Sequence, residues 1–308
     1  MIYSKPSYYD SFRCIAGACP DSCCKEWSVQ VDDFSAEYYR SLPGDLGDTL
    51  RRVLVEEDGD TVMAIRDGRC PMWRQDGLCR IQAELGEEAL CDVCRDFPRI
   101  SHDFGDFAEL QLELSCPEAA RLILTAPPAP PITWEEEDGE EPEYDPEEMA
   151  RLKAIRAQLL EILADDRLTP GEALLRVYRE GTSDRAQGGT PAMEGITDFF
   201  LGLEILTDQW PRKLAAARPR PLRPQARNLA RYLLERYLLQ DMGDVRDRVA
   251  FAVICCLVVN ALEGDFTENA QLFSKEIENS DCNPRALILA ARKEAAFSPA
   301  NIAALLNS

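Results

Sequence analysis

The sequence predicts a mainly α-helical protein, in which an irregular, cysteine-rich metal-binding module with short strands is followed by an all-helical C-terminal domain. Nine of the twelve cysteines lie within the first 116 of 308 residues. After residue 148, apolar residues recur at helical spacing through most of the chain. Between the two regions lies an acidic, proline-rich segment, a composition that stays extended. We therefore predict a cysteine-rich domain at 1–125, a linker at 126–147 and a helical domain at 148–308.

Charge and hydropathy argue against two classes of partner. The net charge is −21, and residues 1–125 carry 13 Lys and Arg against 24 Asp and Glu. Nucleic acid requires a basic surface, so we expect no nucleic-acid partner. The longest apolar run, 249–259, has 11 residues, short of the roughly 20 that span a bilayer. We predict a buried core helix there, no membrane insertion and, because no targeting signal precedes residue 14, a cytoplasmic protein.

The N-terminal cysteines have spacings that favour a metal site. They follow the patterns C-x4-C-x3-CC at 14–24, C-x8-C at 70–79, CxxC at 91–94 and Cys-Pro at 116–117. Disulfides are rare in the cytosol, so metal ligation is the first explanation. Thiolates suit zinc and iron–sulfur clusters. The tandem Cys23-Cys24 favours a cluster over a zinc ribbon, although zinc stays open as the alternative, as does the choice of ligands.

Local signals predict the individual elements. Short strands are expected at 27–33 and 60–66, and a helix at 83–94. In the C-terminal half, Asp145 before Pro146 and Thr169 before Pro170 predict helix N-caps. Further helices are predicted at 195–210, 227–239, 244–262, 267–279, 285–297 and 299–306. We interpret the three remaining cysteines as small buried residues, namely Cys255, Cys256 and Cys282.

A basic segment at 212–236 contrasts with the acidic remainder of the chain. It holds eight basic residues and a single acidic one, Glu235. The segment could dock an acidic partner or pair with the acidic linker. We favour the pairing within the chain, because it requires no partner.

Several anchors in the N-terminal module occur in the same order as in a known family. They are FRCIAGACPDSCCKEW at 12–27, Cys70-Pro71, GLCRIQAELG at 77–86, CRDFPR at 94–99 and ELQLELSCPEA at 109–119. Over about residues 12–124 the chain thereby resembles the flagellin lysine-N-methylase family. Its cysteine core is also similar to a broader group of zinc- or iron-chelating cysteine-cluster domains.

The resemblance implies a protein-lysine N-methyltransferase. It implies that the enzyme methylates lysine side chains of flagellin with S-adenosylmethionine and carries a [4Fe-4S] cluster. The cysteines that match the family pattern are our metal-ligand candidates: Cys14, Cys19, Cys23, Cys24, Cys70, Cys79, Cys94 and Cys116. Cys91 falls where a small residue such as serine is expected and is left out. The lone His102 is not assigned.

Methyl transfer to lysine needs a neutral amine and a site for a cationic donor. Carboxylates and aromatic faces bind cations, which makes Glu109 the catalytic candidate and Trp27 a cofactor-binding candidate. Arg99 could bind the carboxylate of a methionine-like ligand. The structural alternatives are a core position for Trp27 and ion pairs for Glu109 and Arg99. No Gly-rich turn of Rossmann type is present, and the C-x3-C-x2-C of radical enzymes is absent.

The same cysteines allow a second interpretation of the function. The cysteine module could be the whole function of a non-catalytic zinc- or iron-binding protein, for metal delivery, storage or redox sensing. The helical half of the chain favours the enzyme, because a chelating domain could stand alone.

Overall fold

The computed structural model describes residues 1–25, 29–57, 59–136, 139–186 and 188–308. The chain forms two compact units. The cysteine unit comprises Arg13–Ile100 and Cys116–Glu118, and the helical unit comprises Met1–Phe12, Ser101–Ser115 and Ala119–Ser308. These units divide the chain at points other than the predicted domain boundaries, which remain a prediction. All nine N-terminal cysteines belong to the cysteine unit.

About half of the chain is helical, and the described residues hold fourteen α-helices and two small sheets. The strands are β1 (Ile2–Lys5), β2 (Val29–Gln30), β3 (Leu54–Glu57), β4 (Asp60–Met63), β5 (Arg99–Asp103), β6 (Phe107–Leu112) and β7 (Ile132–Glu135). The helices are α1 (Asp33–Ser41), α2 (Gly44–Val53), α3 (Arg80–Leu85), α4 (Asp92–Asp96), α5 (Pro117–Thr125), α6 (Pro146–Ala164), α7 (Pro170–Thr182), α8 (Glu194–Leu201), α9 (Gln209–Ala215), α10 (Ala226–Tyr237), α11 (Val245–Ala261), α12 (Phe266–Phe273), α13 (Asn283–Ala290) and α14 (Pro299–Leu306).

The strands form one sheet of order β2-β4-β3 and another of order β5-β6-β1-β7. In the second sheet, β1 runs parallel to β6 and antiparallel to β7. The segment predicted as a linker thus contributes a strand, and its Trp134 ring stacks on Tyr3 with centroids 5.3 Å apart. From Pro146 onward, the residues that the structure describes form helices and no strand. The predicted helical character of this region is confirmed.

Helix α11 is the centre of the helical unit. Every residue of α11 except Arg246 is buried, including Cys255 and Cys256. A helix that is apolar on all sides must be covered on all sides, and α7, α10, α12 and α13 pack against it. The predicted core helix is confirmed. In the described parts of the chain, no helix is long and apolar enough to cross a bilayer.

The predicted N-caps are confirmed. The Asp145 carboxylate accepts hydrogen bonds from the N–H groups of Glu147 and Glu148 at the start of α6. At the start of α7, the Thr169 hydroxyl accepts from the Glu172 N–H, and the Glu172 carboxylate accepts from the Thr169 N–H. This capping box satisfies two backbone donors that would otherwise lack partners.

The Thr169 cap gives a measurable stability effect. We expect Thr169→Ala to lower the free energy of unfolding by about 1 kcal/mol, because it leaves a backbone donor of α7 without its acceptor. Urea denaturation of the full chain measures the change. Thr125→Ala at the end of α5 is the control. This exposed hydroxyl donates to the Arg121 carbonyl of its own helix, and its loss should change stability by less than about 0.5 kcal/mol. Equal effects of the two substitutions would contradict the cap.

Three predicted helices are shorter than expected. The predicted helix 83–94 is wrong, because Gly86 adopts a φ of 98° and ends α3 before α4 begins. The predicted helix 195–210 ends at Gly202, and α9 is separate. Helix α13 ends at Ala290, before the predicted end at 297. Cys282, predicted to be buried, is exposed beside the start of α13.

Arginines of the basic segment bond helix ends. Arg227 donates to the carbonyl oxygens of Leu163 and Asp165 at the end of α6. Arg223 donates to those of Asn260 and Leu262 at the end of α11. Helix C-termini carry partial negative charge and carbonyls without intrahelical partners, which guanidinium groups satisfy. These two arginines therefore stabilise the fold through backbone carbonyls rather than through the acidic side chains of the linker.

Candidate functional site

Backbone contacts bring the first two cysteine segments together. The Cys70 N–H donates to the Cys24 carbonyl at 2.8 Å. A second close contact joins the same two segments at Gly17 and Gly77. Gly77 has a φ of 82°, and a Cβ there would lie 3.2 Å from the Gly17 Cα. Side chains at this contact would force the segments apart. The two glycines therefore allow the loop of Cys14 and Cys19 to approach the loop that leads to Cys79.

Three further cysteines immediately precede helices. Cys79 stands before α3, Cys91 before α4 and Cys116 before α5. A helix N-terminus carries partial positive charge and unpaired N–H groups, which favour a thiolate. At Cys79, burial raises the pKa of the thiol, and the N–H groups of Gln82 and Ile81 act against that rise.

Thiol–thiol hydrogen bonds join the cysteines. The Cys24 sulfur interacts with the thiols of Cys23 and Cys70, and these hydrogen bonds lower the pKa of Cys24. The hydrogen bond between Cys23 and Cys24 raises the pKa of Cys23, which holds the proton. A second pair consists of Cys91 and Cys94, in which the hydrogen bond lowers the pKa of Cys91 and raises that of Cys94. The hydrogen bonds thus favour the thiolate form on Cys24 in the first group and on Cys91 in the second.

Longer-range electrostatics link these groups. The pKa of Cys23 is raised, after its bond to Cys24 and its burial, by the charges of Cys14 and Cys116. The pKa of Cys94 is likewise raised, after its bond to Cys91 and its burial, by the charges of Cys24 and Cys23. Such coupling requires the sulfurs to lie close together in a poorly screened environment. Segments far apart in sequence thus converge on one sulfur-rich region.

The cysteine thiols of this unit are ligands of the chemical type that a thiolate-bound metal requires. No disulfide joins any of the twelve cysteines, which all lie in described parts of the chain. Cys70 and Cys91 are buried in the apolar core of the cysteine unit, and Cys24, Cys79 and Cys94 pack against it. Among the described residues, however, no group of three or more Cys, His, Asp or Glu side chains stands in a metal-holding arrangement. The metal therefore remains a prediction that rests on sulfur chemistry and convergence.

The other predicted site residues are Trp27, Arg99 and Glu109. Trp27 is outside the described residues. Arg99 is half-buried at the first position of β5, within the cysteine unit. Glu109 belongs to the helical unit, where Arg156 binds its carboxylate through both nitrogens at 2.5 and 2.7 Å. Both side chains are 14% exposed. The ion pair considered for Glu109 from the sequence is therefore present.

Glu109 and Arg156 line a cavity of about 90 Å³ within the helical unit. Tyr8, Arg231 and Glu235 also line it. Burial raises the pKa of Glu235 to about 7, against the opposing charges of Arg231 and Arg156. No sequence motif identifies these three residues, because Tyr8 lies far along the chain from Arg231 and Glu235. The one available signal was Glu235, the single acidic residue of the basic segment.

His102 is half-buried in the helical unit. Burial and the positive charge of Arg236 lower its pKa to about 4, and its Nε2 atom has no hydrogen-bond partner within the described residues. The imidazole is therefore neutral at physiological pH. Among the described residues it belongs to no group that could hold a metal ion.

Comparison with known proteins finds relatives with flagellar and methylase names. The chain is 31% identical over 140 residues to a lysine-N-methylase of Salmonella typhimurium, and the match covers 42% of this chain and 34% of that protein. A lysine-N-methylase of Salmonella choleraesuis matches to the same extent. The flagellar biosynthetic protein FliU of Salmonella muenchen is 31% identical over 136 residues, which cover 42% of this chain and 80% of that protein.

These matches confirm the resemblance seen in the sequence. The match spans only about a third of the length of the two lysine-N-methylases. No family model and no solved structure matches the chain.

Proposed function

Because the chain belongs to the flagellar lysine-N-methylase family, we propose that it takes part in S-adenosylmethionine-dependent methylation of lysine side chains on flagellin. The observation that carries the proposal is the match to most of the length of a flagellar protein, together with relatives named for lysine methylation. The convergence of nine cysteines in one unit supports a metal-dependent form of this function.

We propose that the cysteine unit holds a [4Fe-4S] cluster, with zinc as the alternative. Cys23 interacts with four of the other predicted ligands, Cys14, Cys24, Cys94 and Cys116, which makes these five the strongest candidates among the eight. When bound, a cluster would supply an electron-rich iron–sulfur centre. The chain's own contribution is a set of thiolates stabilised by helix N-termini and partly shielded by an apolar core.

The lysine ammonium must lose its proton before it can accept a methyl group, since it has no lone pair. Glu109 stays the candidate from the sequence for this step, and Arg156 holds its carboxylate through two hydrogen bonds. Arg99 and Trp27 remain the candidates from the sequence for holding S-adenosylmethionine.

A labelling experiment tests the function. The full chain is purified without oxygen, its iron, sulfide and zinc are measured, and it is incubated with flagellin and methyl-labelled S-adenosylmethionine. We expect label on flagellin lysines, and none on a flagellin whose lysines are replaced by arginine. Full metal content without any label on lysine would defeat the enzymatic proposal. That result would favour metal delivery, storage or redox sensing.

A further inference from the structure

The cavity of the helical unit is lined by an arginine and a glutamate that do not form an ion pair with each other. Arg231 and Glu235 lie four residues apart on α10 and both line the cavity. Residues at this spacing share a helix face and commonly form an ion pair. Among the described residues, the Glu235 carboxylate makes no hydrogen bond or ion pair, and only its backbone carbonyl accepts a bond, from Arg156.

Arg231 also has unused hydrogen-bonding capacity. Its guanidinium donates to the Asn228 side-chain oxygen at 2.9 Å and to the Pro127 carbonyl at 3.5 Å. A guanidinium has five N–H donors in a planar fork, so further donors remain for a ligand. The cavity wall therefore presents one positive and one negative group that do not satisfy each other.

The other charges at the cavity are already paired. Arg156 neutralises Glu109 through two hydrogen bonds. Lys5 pairs with Asp10 at 2.7 Å and lies over the Trp134 ring. A ligand with a single charge would leave either Arg231 or Glu235 without a partner. A ligand that carries a carboxylate and an ammonium close together would satisfy both and keep the site neutral.

The volume limits the part of a ligand that can enter. About 90 Å³ corresponds to roughly three water molecules. This space suits a small charged headgroup. Tyr8, whose pKa is raised chiefly by burial and also by the charge of Glu235, forms part of the wall and keeps its phenol protonated as a hydrogen-bond donor.

We propose that this cavity binds the zwitterionic α-amino acid group of a small ligand, with Arg231 on the carboxylate and Glu235 on the ammonium. The inference rests on the proposed function where it identifies this ligand as the methionine part of S-adenosylmethionine. A free amino acid carries the same chemistry. The assignment places the carboxylate on Arg231 instead of Arg99.

The protonation of Glu235 provides a second readout. Its pKa of about 7 arises from burial, with Arg231 and Arg156 acting against the rise and Glu109 adding to it. Tyr8 and Lys5 also line the cavity. The raised pKa of Tyr8 keeps its phenol protonated, and Lys5 pairs with Asp10. Only the ionised carboxylate attracts an ammonium, so affinity should increase as pH rises through about 7. Glu235→Gln should remove this dependence.

Titration calorimetry on the full chain tests the proposal. L-methionine and S-adenosylmethionine distinguish the two sources, while the methionine analogues that lack the carboxylate or the amine test each half of the zwitterion. We expect Arg231→Met and Glu235→Gln each to weaken binding by about tenfold or more. Neither half analogue should bind measurably. The exposed Arg185→Met is the matched control and should bind as the unaltered chain does. Arg99→Met tests the carboxylate position that the sequence analysis considered.

Several results would overturn the site: no binding of either ligand, unchanged affinity in the Arg231 and Glu235 variants, or weakening by Arg99→Met alone. Circular dichroism verifies folding. If Arg231→Met does not fold, Arg231→Lys replaces it, and its loss of the planar fork should still weaken binding. Binding at the cavity without methylation of flagellin would support this site and defeat the proposed function. Methylation of flagellin with unchanged ligand affinity in both variants would support the proposed function and overturn this site.

Discussion

Replacing Cys24 with serine is expected to remove nearly all bound metal from the chain. Cys24 interacts through its sulfur with Cys23 and Cys70, and its charge also affects Cys79 and Cys94. Loss of an outer partner of a metal ligand commonly lowers affinity about 10- to 100-fold. Loss of a central ligand should therefore exceed about 100-fold. Iron, sulfide and zinc content after oxygen-free purification, together with the visible absorption spectrum, measures the effect.

Two serine substitutions serve as controls for Cys24→Ser. Cys282→Ser alters an exposed cysteine of the helical unit and should leave the metal content unchanged. Cys91→Ser should also retain the metal, because Cys91 lies outside the family pattern and a serine hydroxyl can still hydrogen-bond the Cys94 sulfur. Full metal content in Cys24→Ser would contradict a centre built on Cys24. Loss in Cys91→Ser would add Cys91 to the ligands.

Metal loss should also weaken the cysteine unit. Metal binding contributes to folding when the unfolded chain has no preformed site. The metal-free unit keeps an apolar core around Tyr39 and Leu50, so we expect partial rather than complete unfolding. Limited proteolysis of Cys24→Ser should then cleave within 13–100 before it cleaves the helical unit.

The sequence predicted those parts of the fold that depend on local chemistry. The caps at Asp145 and Thr169 and the buried helix α11 follow from a few neighbouring residues or from one apolar run. The sheet of β5, β6, β1 and β7 was missed because it pairs segments more than a hundred residues apart, including one within a proline-rich acidic stretch. Pairing at such distances is decided by tertiary contacts and not by local propensity.

The candidate sites also differ in how far the sequence predicts them. Cysteine spacing indicated a metal-binding unit, and the structure places those cysteines in one unit, in which the thiols of Cys23 and Cys24 form a hydrogen bond. The identity of the metal depends on a coordination shell that spacing does not specify. The cavity at Arg231 and Glu235 had no sequence motif, because its walls come from β1, β6, α6 and α10. Such a site can be recognised only by the charges and space that folding brings together.

The second large effect concerns a buried ionic network in the helical unit. Arg236 contacts the Glu278 carboxylate at 3.2 Å, the Glu113 carboxylate at 3.6 Å and the Tyr232 hydroxyl at 3.0 Å. The Glu278 side chain is fully buried and also accepts hydrogen bonds from the hydroxyls of Tyr232 and Tyr237. The guanidinium is therefore a cationic partner of this fully buried carboxylate, and its loss would leave a buried charge uncompensated.

We expect Arg236→Met to lower the free energy of unfolding by about 3 to 5 kcal/mol, because removing one partner of a buried ion pair exposes the other to the full desolvation penalty. Thermal and urea denaturation of the full chain measure the change. Arg185→Met removes an exposed ion pair of 3.6 Å and should cost less than about 1 kcal/mol. Adding Glu278→Gln to Arg236→Met should restore part of the stability, since it removes the unpaired charge. A double variant less stable than Arg236→Met would show that the buried carboxylate does not depend on Arg236, and the network would then be held by the tyrosine hydroxyls.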